Sequence, residues 1–267
     1  MSIIDYAENQ MERFDTAKFN PADSLVLSQF AYIYFNDVVP GLDDQNASVR
    51  IADLLKAEYI ARMLHNVRDP KSNHRLLFAL GMSPRFRDIR MCCYADSLDV
   101  TEQKQFSAVT YLLDDETAYV AYRGTDATFV GWKEDFNMAF ILPVPAQQEG
   151  ICYLNAVAER IPHKLMVGGH SKGGNVAVYS AMGCQPSVGD RIVRVYSHDG
   201  PGSESVIEAM GVVNFSDLTE DWLKKAASVL DAIKGIDPET KRFVSGTIKS
   251  LVALSVKNSR ISKQGII

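Results

Sequence analysis

Lys164-Leu-Met-Val-Gly-Gly-His-Ser-Lys-Gly-Gly-Asn-Val-Ala-Val-Tyr179 is the stretch whose reading decides the fold of this chain. Leu165 to Val167 is an apolar run of buried-strand character; Gly169-His170-Ser171-Lys172-Gly173 breaks it, and Asn175 to Met182 resumes with helical spacing. The pattern is a strand, a sharp turn and a helix. A serine at the tip of such a turn sits in strained backbone with its hydroxyl exposed. Gly169 and Gly173, two residues before and two after it, leave out side chains that would collide, and Gly174 continues the run of small residues. Ser171 is thereby presented as a nucleophile. The helix begins directly after it, so the free N–H of Lys172 and the positive end of the helix dipole face an oxyanion forming beside Ser171.

Downstream, Ile192 to Ser197 alternates as the next strand and stops at His198-Asp199-Gly200-Pro201-Gly202. A carboxylate ending the strand after the nucleophile helix lies beside the nucleophile strand, which makes Asp199 the candidate triad acid. Asp-Gly-Pro-Gly is also ordinary turn chemistry. Upstream, Phe106 to Leu113 and Thr117 to Arg123 read as a hairpin around Asp114-Asp115-Glu116. Its second strand runs into Arg123-Gly124-Thr125-Asp126, and Gly131-Trp132-Lys133-Glu134-Asp135 follows a few residues later. The second half of an oxyanion hole has to come from a loop after an early strand, and Thr125 fits that place. The other reading of the same residues is a turn that caps the next segment.

The remaining chain supplies helices and one more strand. Asn20-Pro21-Ala22-Asp23 starts a helix, with Asp23 or Ser24 as cap, that ends near Asn36; Ser48 to Asn66 and Ser72 to Leu80 read as two more. Arg90 to Tyr94 is a strand candidate, on which adjacent Cys92 and Cys93 would point to opposite faces. Ala146 to Arg160 is a helix, as are Asp217 to Lys234 and the segment from Asp237-Pro238 to about Val256. The expected fold class is α/β: a mostly parallel central sheet flanked by helices. The organisation is a single domain over 1–267, with a helical N-terminal part (1–85), a sheet core with the nucleophile turn (86–202) and a helical C-terminal part (203–267).

Composition sets the boundaries of function. With 46% hydrophobic and 23% charged residues the chain is of ordinary globular make-up, and a net charge of −5 without a basic cluster disfavours nucleic acid as a partner. The N-terminus carries Asp5, Glu8 and Glu12 where a signal peptide would be basic and then apolar, and no run is long enough to span a bilayer. A cytoplasmic protein is the expectation. Cys92, Cys93, Cys152 and Cys184 offer no metal-ligand spacing, so they are expected as reduced thiols, with no metal and no cofactor.

Together these motifs resemble the bacterial α/β-hydrolases related to class 3 (fungal-type) lipases. The resemblance is carried by Asn20-Pro-Ala-Asp-Ser-Leu-Val-Leu-Ser-Gln-Phe-Ala-Tyr32, Tyr122-Arg-Gly-Thr-Asp126, Gly131-Trp-Lys-Glu-Asp135, Gly169-His-Ser-Lys-Gly-Gly-Asn175 and Asp199-Gly-Pro-Gly202. It implies an α/β-hydrolase fold with Ser171 as nucleophile, Asp199 as acid, and Thr125 with the N–H of Lys172 as oxyanion hole. Trp132 and Asp135 would prop the loop bearing Gly124 and Thr125. The implied reaction is hydrolysis of an acyl ester or lipid-like ligand through an acyl-enzyme. The departure concerns the base. Such a triad runs Ser, acid, His along the chain, and no histidine follows Asp199. His65, His74, His163, His170 and His198 all precede it; His198 would face away from Asp199 on a strand, and His170 away from the Ser171 hydroxyl. Two functions therefore remain open: a lipase-like serine hydrolase, or an impaired one that binds a ligand or partner. Association with a second copy is left open as well.

Overall fold

A computed structural model describes residues 2–44, 47–126, 128–138 and 143–201, which lie within one compact unit, Met1–Ser203. The readings made beyond residue 201 fall outside the described residues. The fold is mixed α/β, built on a six-stranded sheet in the order β1-β2-β3-β4-β5-β6. These strands are β1 (Val49–Arg50), β2 (Arg90–Asp99), β3 (Lys104–Leu112), β4 (Thr117–Tyr122), β5 (Lys164–His170) and β6 (Ile192–His198). The sheet is not mostly parallel, as the sequence reading had it. β1, β2, β3 and β4 pair antiparallel in succession, and only β4-β5 and β5-β6 are parallel. The reason is connection length: the tight links from β2 to β3 and from β3 to β4 admit only hairpins, whereas helical crossovers precede β5 and β6.

Helices α1 (Ile3–Asn9), α2 (Pro21–Phe30), α3 (Ala57–Met63) and α4 (Pro70–Met82) precede β2. α2 is capped by Asn20, whose side chain accepts from the N–H groups of Ala22 and Asp23, while Asp23 bonds back to the Asn20 N–H. The cap is thus Asn20 rather than Asp23 or Ser24, and the helix stops at Phe30 rather than near Asn36. The single helix expected from Ser48 to Asn66 is broken into three pieces. Val49–Arg50 is strand β1, Ile51–Leu54 is a 3₁₀ turn, and only Ala57–Met63 is α-helical. The apolar spacing was helical, but Ile51 and Leu54 are fully buried in the core, and Val49 pairs with Met91 at the sheet edge. α4 begins earlier than Ser72, at Pro70, because Asp69 caps it.

After β4 come α5 (Phe129–Asn137) and α6 (Pro145–Arg160), then α7 (Lys172–Gly183) and the short α8 (Pro186–Gly189) between β5 and β6. Alternation along the strands sends side chains to two cores. Tyr119 and Ala121 of β4 and Met166 of β5 join Val26, Leu27 and Phe30 of α2. Ala118, Val120, Tyr122, Leu165 and Val167 join Leu154 and Val157 of α6 and Val176 and Ala177 of α7. One exception is instructive. The β2 register shifts between Cys92 and Ala95, Cys93 has φ 54°, and both cysteines enter the α6-side core rather than facing opposite ways. The four cysteines are all free thiols.

The N-terminal segment is tied down by one buried cation. Arg85 donates from Nε to Asp23 at 2.7 Å and from Nη2 at 2.6 Å, and it also reaches the carbonyls of Glu12, Ala17 and Lys18. Both side chains of the pair are wholly buried. Breaking such a pair leaves an uncompensated buried charge. Arg85→Met is therefore expected to cost about 3–5 kcal/mol in urea unfolding, far more than an exposed ion pair contributes.

Candidate active site

Ser171 occupies the junction of β5 and α7 with φ 55° and ψ −130°, a region L-residues rarely adopt. Its N–H donates to the His198 carbonyl at 2.9 Å, which locks the junction onto the end of β6. The surrounding glycines are forced by contact. A Cβ on Gly173 would lie 2.1 Å from the Tyr122 carbonyl oxygen, and one on Gly169 would lie 2.4 Å from the backbone of Gly173. On Gly174 it would meet the Ser197 hydroxyl at 2.8 Å and the Gly169 carbonyl at 3.0 Å. The end of β4 and the first turn of α7 thus run against each other. Ser171 itself is only half-buried, and among the described residues nothing hydrogen-bonds to its Oγ.

Gly124 brings the second loop to the same place. A side chain there would meet the Tyr32 hydroxyl at 2.0 Å and the His170 carbonyl at 2.6 Å. Thr125, next in sequence, is buried, and its Oγ1 has no hydrogen-bond partner among the described residues. Asp135 lies close by: burial pushes its carboxyl up, while the Lys172 ammonium and the Thr125 hydroxyl draw it down. Of Trp132 only the backbone, within α5, is described. As first residue of α7, Lys172 has an N–H with no intrahelical acceptor.

Asp199 follows β6, one residue past the His170 and His198 register pair, with φ 53° and an exposed side chain. The strand order places it beside the junction of β5 and α7. It makes no hydrogen bond or ion pair among the described residues, but its charge acts on His170. The histidines adjoining the site are engaged elsewhere. His170 Nδ1 lies 3.0 Å from the Tyr32 hydroxyl, and His198 Nε2 lies 2.9 Å from the Ser24 hydroxyl, with its ring stacked on Tyr196. His74 packs on Phe78 of α4, and the backbone carbonyl of His163, before β5, holds Arg191. His65 follows α3. No described histidine ring bonds to the Ser171 hydroxyl.

Residues the sequence reading passed over complete the surroundings. The Asn175 side chain donates to the Pro201 carbonyl and accepts from Gln147, both at 2.8 Å, so it holds the turn that carries Asp199. The Lys172 side chain is fully buried against Glu134. Its position on an otherwise apolar helix start was the available signal. Among the described residues no group of three or more His, Cys, Asp or Glu could hold a metal.

Residues 80–245, more than half of the chain, match the family model described as Mbeg1-like. The chain belongs to the Mbeg1-like family. No curated protein and no solved structure matches it. The Mbeg1-like segment contains Thr125, Ser171, Lys172, Asn175 and Asp199, which follow the carboxyl ends of β4, β5 and β6. None of the described helices is long and apolar enough to cross a membrane.

Expectations of two kinds follow from this geometry, the first for stability. Backbone strain of this kind costs about 1–3 kcal/mol, so Ser171→Gly is expected to raise the stability by that order in chemical denaturation. Gly173→Ala is expected to lower it by at least as much as overpacking usually does, about 1–3 kcal/mol, because the obstacle is backbone. The second concerns pH. Burial holds both His170 and His198 below the ordinary 6.5, partly opposed in His170 by Asp199. A base with a depressed folded pKa supports the fold while neutral: the contribution is whole above the unfolded value and is lost as pH falls from there through the folded pKa. The melting temperature should therefore drop on acidification below about pH 6.5, and His198→Gln should flatten that drop.

Proposed function

We propose that this Mbeg1-like chain has an α/β-hydrolase-like fold related to the class 3 lipases and acts as a serine hydrolase on an acyl ester, through an acyl-enzyme at Ser171. The observation that carries this reading is the backbone of Ser171, φ 55° and ψ −130°, between a parallel strand and a helix N-terminus. Strain at a non-glycine residue persists only where the surroundings enforce it, and here it turns a half-buried hydroxyl away from every described partner. In this reading the N–H groups of Thr125 and Lys172 receive the oxyanion, Asp199 is the acid, and Asp135 braces the Thr125 loop. An oxyanion hole of two preorganised N–H groups accounts for a large part of such catalysis even without a complete triad, roughly three to four decades over water.

A second reading is favoured by the histidines. With His170 bonded to Tyr32 and His198 to Ser24, no described imidazole is in place as general base. The same site would then bind an ester or lipid-like ligand without turning it over. A fluorophosphonate probe separates the two. Labelling within minutes that disappears in Ser171→Ala is the expected result for the hydrolase; no labelling of the wild type after many hours would leave the ligand-binding reading in its place.

A further inference from the structure

The side chain of Lys172 has no place in the chemistry just described, yet it is among the most deeply buried groups in the protein. Its ammonium donates to the Gln105 carbonyl at 2.5 Å, to Gln105 Oε1 at 2.8 Å and to Glu134 Oε2 at 2.8 Å, so all three N–H donors are used. Glu134 is equally occupied. Its Oε2 also accepts from the Gln105 N–H, and its Oε1 from the Ala146 N–H, each at 2.9 Å. The network therefore joins the start of α7, the second residue of β3, the middle of α5 and the first turn of α6. Burial draws the Lys172 pKa down and Glu134 draws it back up.

Stability alone does not account for such a pair. Taking two opposite charges out of water is costly, and packed apolar side chains of the same volume usually hold a fold as well or better. What the charges supply is position. Lys172 carries one candidate oxyanion N–H, and the element that returns to its ammonium, α5, follows the loop that carries the other, at Thr125. Gln105 closes the circuit: a Cβ on Gly131 would lie 3.1 Å from Gln105 Oε1, 2.9 Å from Asp126 Oδ1 and 3.3 Å from Thr125 Cγ2. The amide oxygen that binds the ammonium thus shares a contact point with the Thr125 loop.

We infer that the Lys172 ammonium and Glu134 carboxylate are positioning residues that set the separation of the Thr125 and Lys172 N–H groups. This rests on the hydrolase reading. The spacing matters because a displacement of about 1 Å in such a constellation can cost on the order of a hundredfold.

The test is capture of phenylboronic acid by the full-length protein, followed by ¹¹B NMR for the tetrahedral species and by titration for its affinity. In the adduct, Ser171 Oγ forms a bond to boron, the hydroxyl proton passes to water, and the anionic boronate occupies the oxyanion site. Lys172→Met, and Lys172→Met combined with Glu134→Gln in case the unpaired carboxylate prevents folding, should bind about ten to a hundred times more weakly than wild type. Thr110→Val, which loses a buried hydrogen bond to Tyr153 well away from the network, should melt earlier yet bind as wild type does. Equal binding by the double variant and wild type would overturn the inference while leaving the hydrolase reading intact. The inference would also fall if Thr110→Val bound as poorly as the lysine variants, since general loosening would then explain both. No tetrahedral adduct in wild type, or one that survives Ser171→Ala, would remove the hydrolase reading and the inference with it.

Discussion

The closeness of the end of β4 to the first turn of α7 is the constraint on which the site depends. With the Tyr122 carbonyl oxygen 2.1 Å from where a Gly173 Cβ would stand, no side chain is admissible at the contact. That contact fixes the angle at which β5 gives way to α7, and the angle places Ser171 in a backbone region it would not choose. It also draws the segment after β4 past His170, because Gly124 packs against the His170 carbonyl and the Tyr32 hydroxyl. One steric fact thus brings the Ser171 hydroxyl, an N-terminal helix end and a neighbouring loop together at the carboxyl ends of β4 and β5.

Polar contacts then hold what the glycines bring together, and each runs between elements far apart in sequence. Ser24 and Ser28 of α2 bond to Tyr119 of β4, and Ser24 also reaches His198. Asn175 links the turn after β6 to Gln147 of α6. Glu134 and Lys172 join α5 to α7 through Gln105. Buried hydrogen bonds of this kind add little net stability each but leave costly orphans when broken, so they select one arrangement over nearby ones. Arg123, at the head of the Thr125 loop, follows the same rule only in part. Its Nη2 reaches Asp96 at 2.9 Å and its guanidinium lies over the Tyr34 ring, while Nε and Nη1 have no hydrogen-bond partner among the described residues.

Much of this was legible in the sequence, for identifiable reasons. The hairpin of β3 and β4, the strands β5 and β6 and the helices α6 and α7 were read to within a few residues because their apolar periods are clean and their ends carry glycine, proline or acidic turns. The β5–α7 junction was readable because its glycines are imposed by backbone contact, which leaves a spacing in the sequence. Elsewhere tertiary contact overrode local pattern. Ile51 to Leu54 has helical spacing but is drawn into a 3₁₀ turn beside a two-residue edge strand. The bulge after Cys92 inverts the facing that strict alternation assigns to Cys93. The parallel bias expected of the sheet was an inference from fold class, and the short hairpin links contradict it. Glu134, Asn175 and Gln147 act through partners dozens of residues away, and no local spacing records such a partnership.

The bond from Ser24 to His198 reaches across the boundary of the family match, which begins at residue 80. Everything from α1 to most of α4 lies before that boundary, yet Val26, Leu27 and Phe30 fill the same core as Tyr111, Tyr119 and Tyr196. A fragment cut at residue 80 would strip one whole face of the sheet and bare a row of tyrosines to water. The stretch by which relatives are recognised thus leaves out part of the core against which its own tyrosines pack. Expression trimmed to the matched stretch would yield an insoluble or molten product, whatever chemistry the intact chain performs.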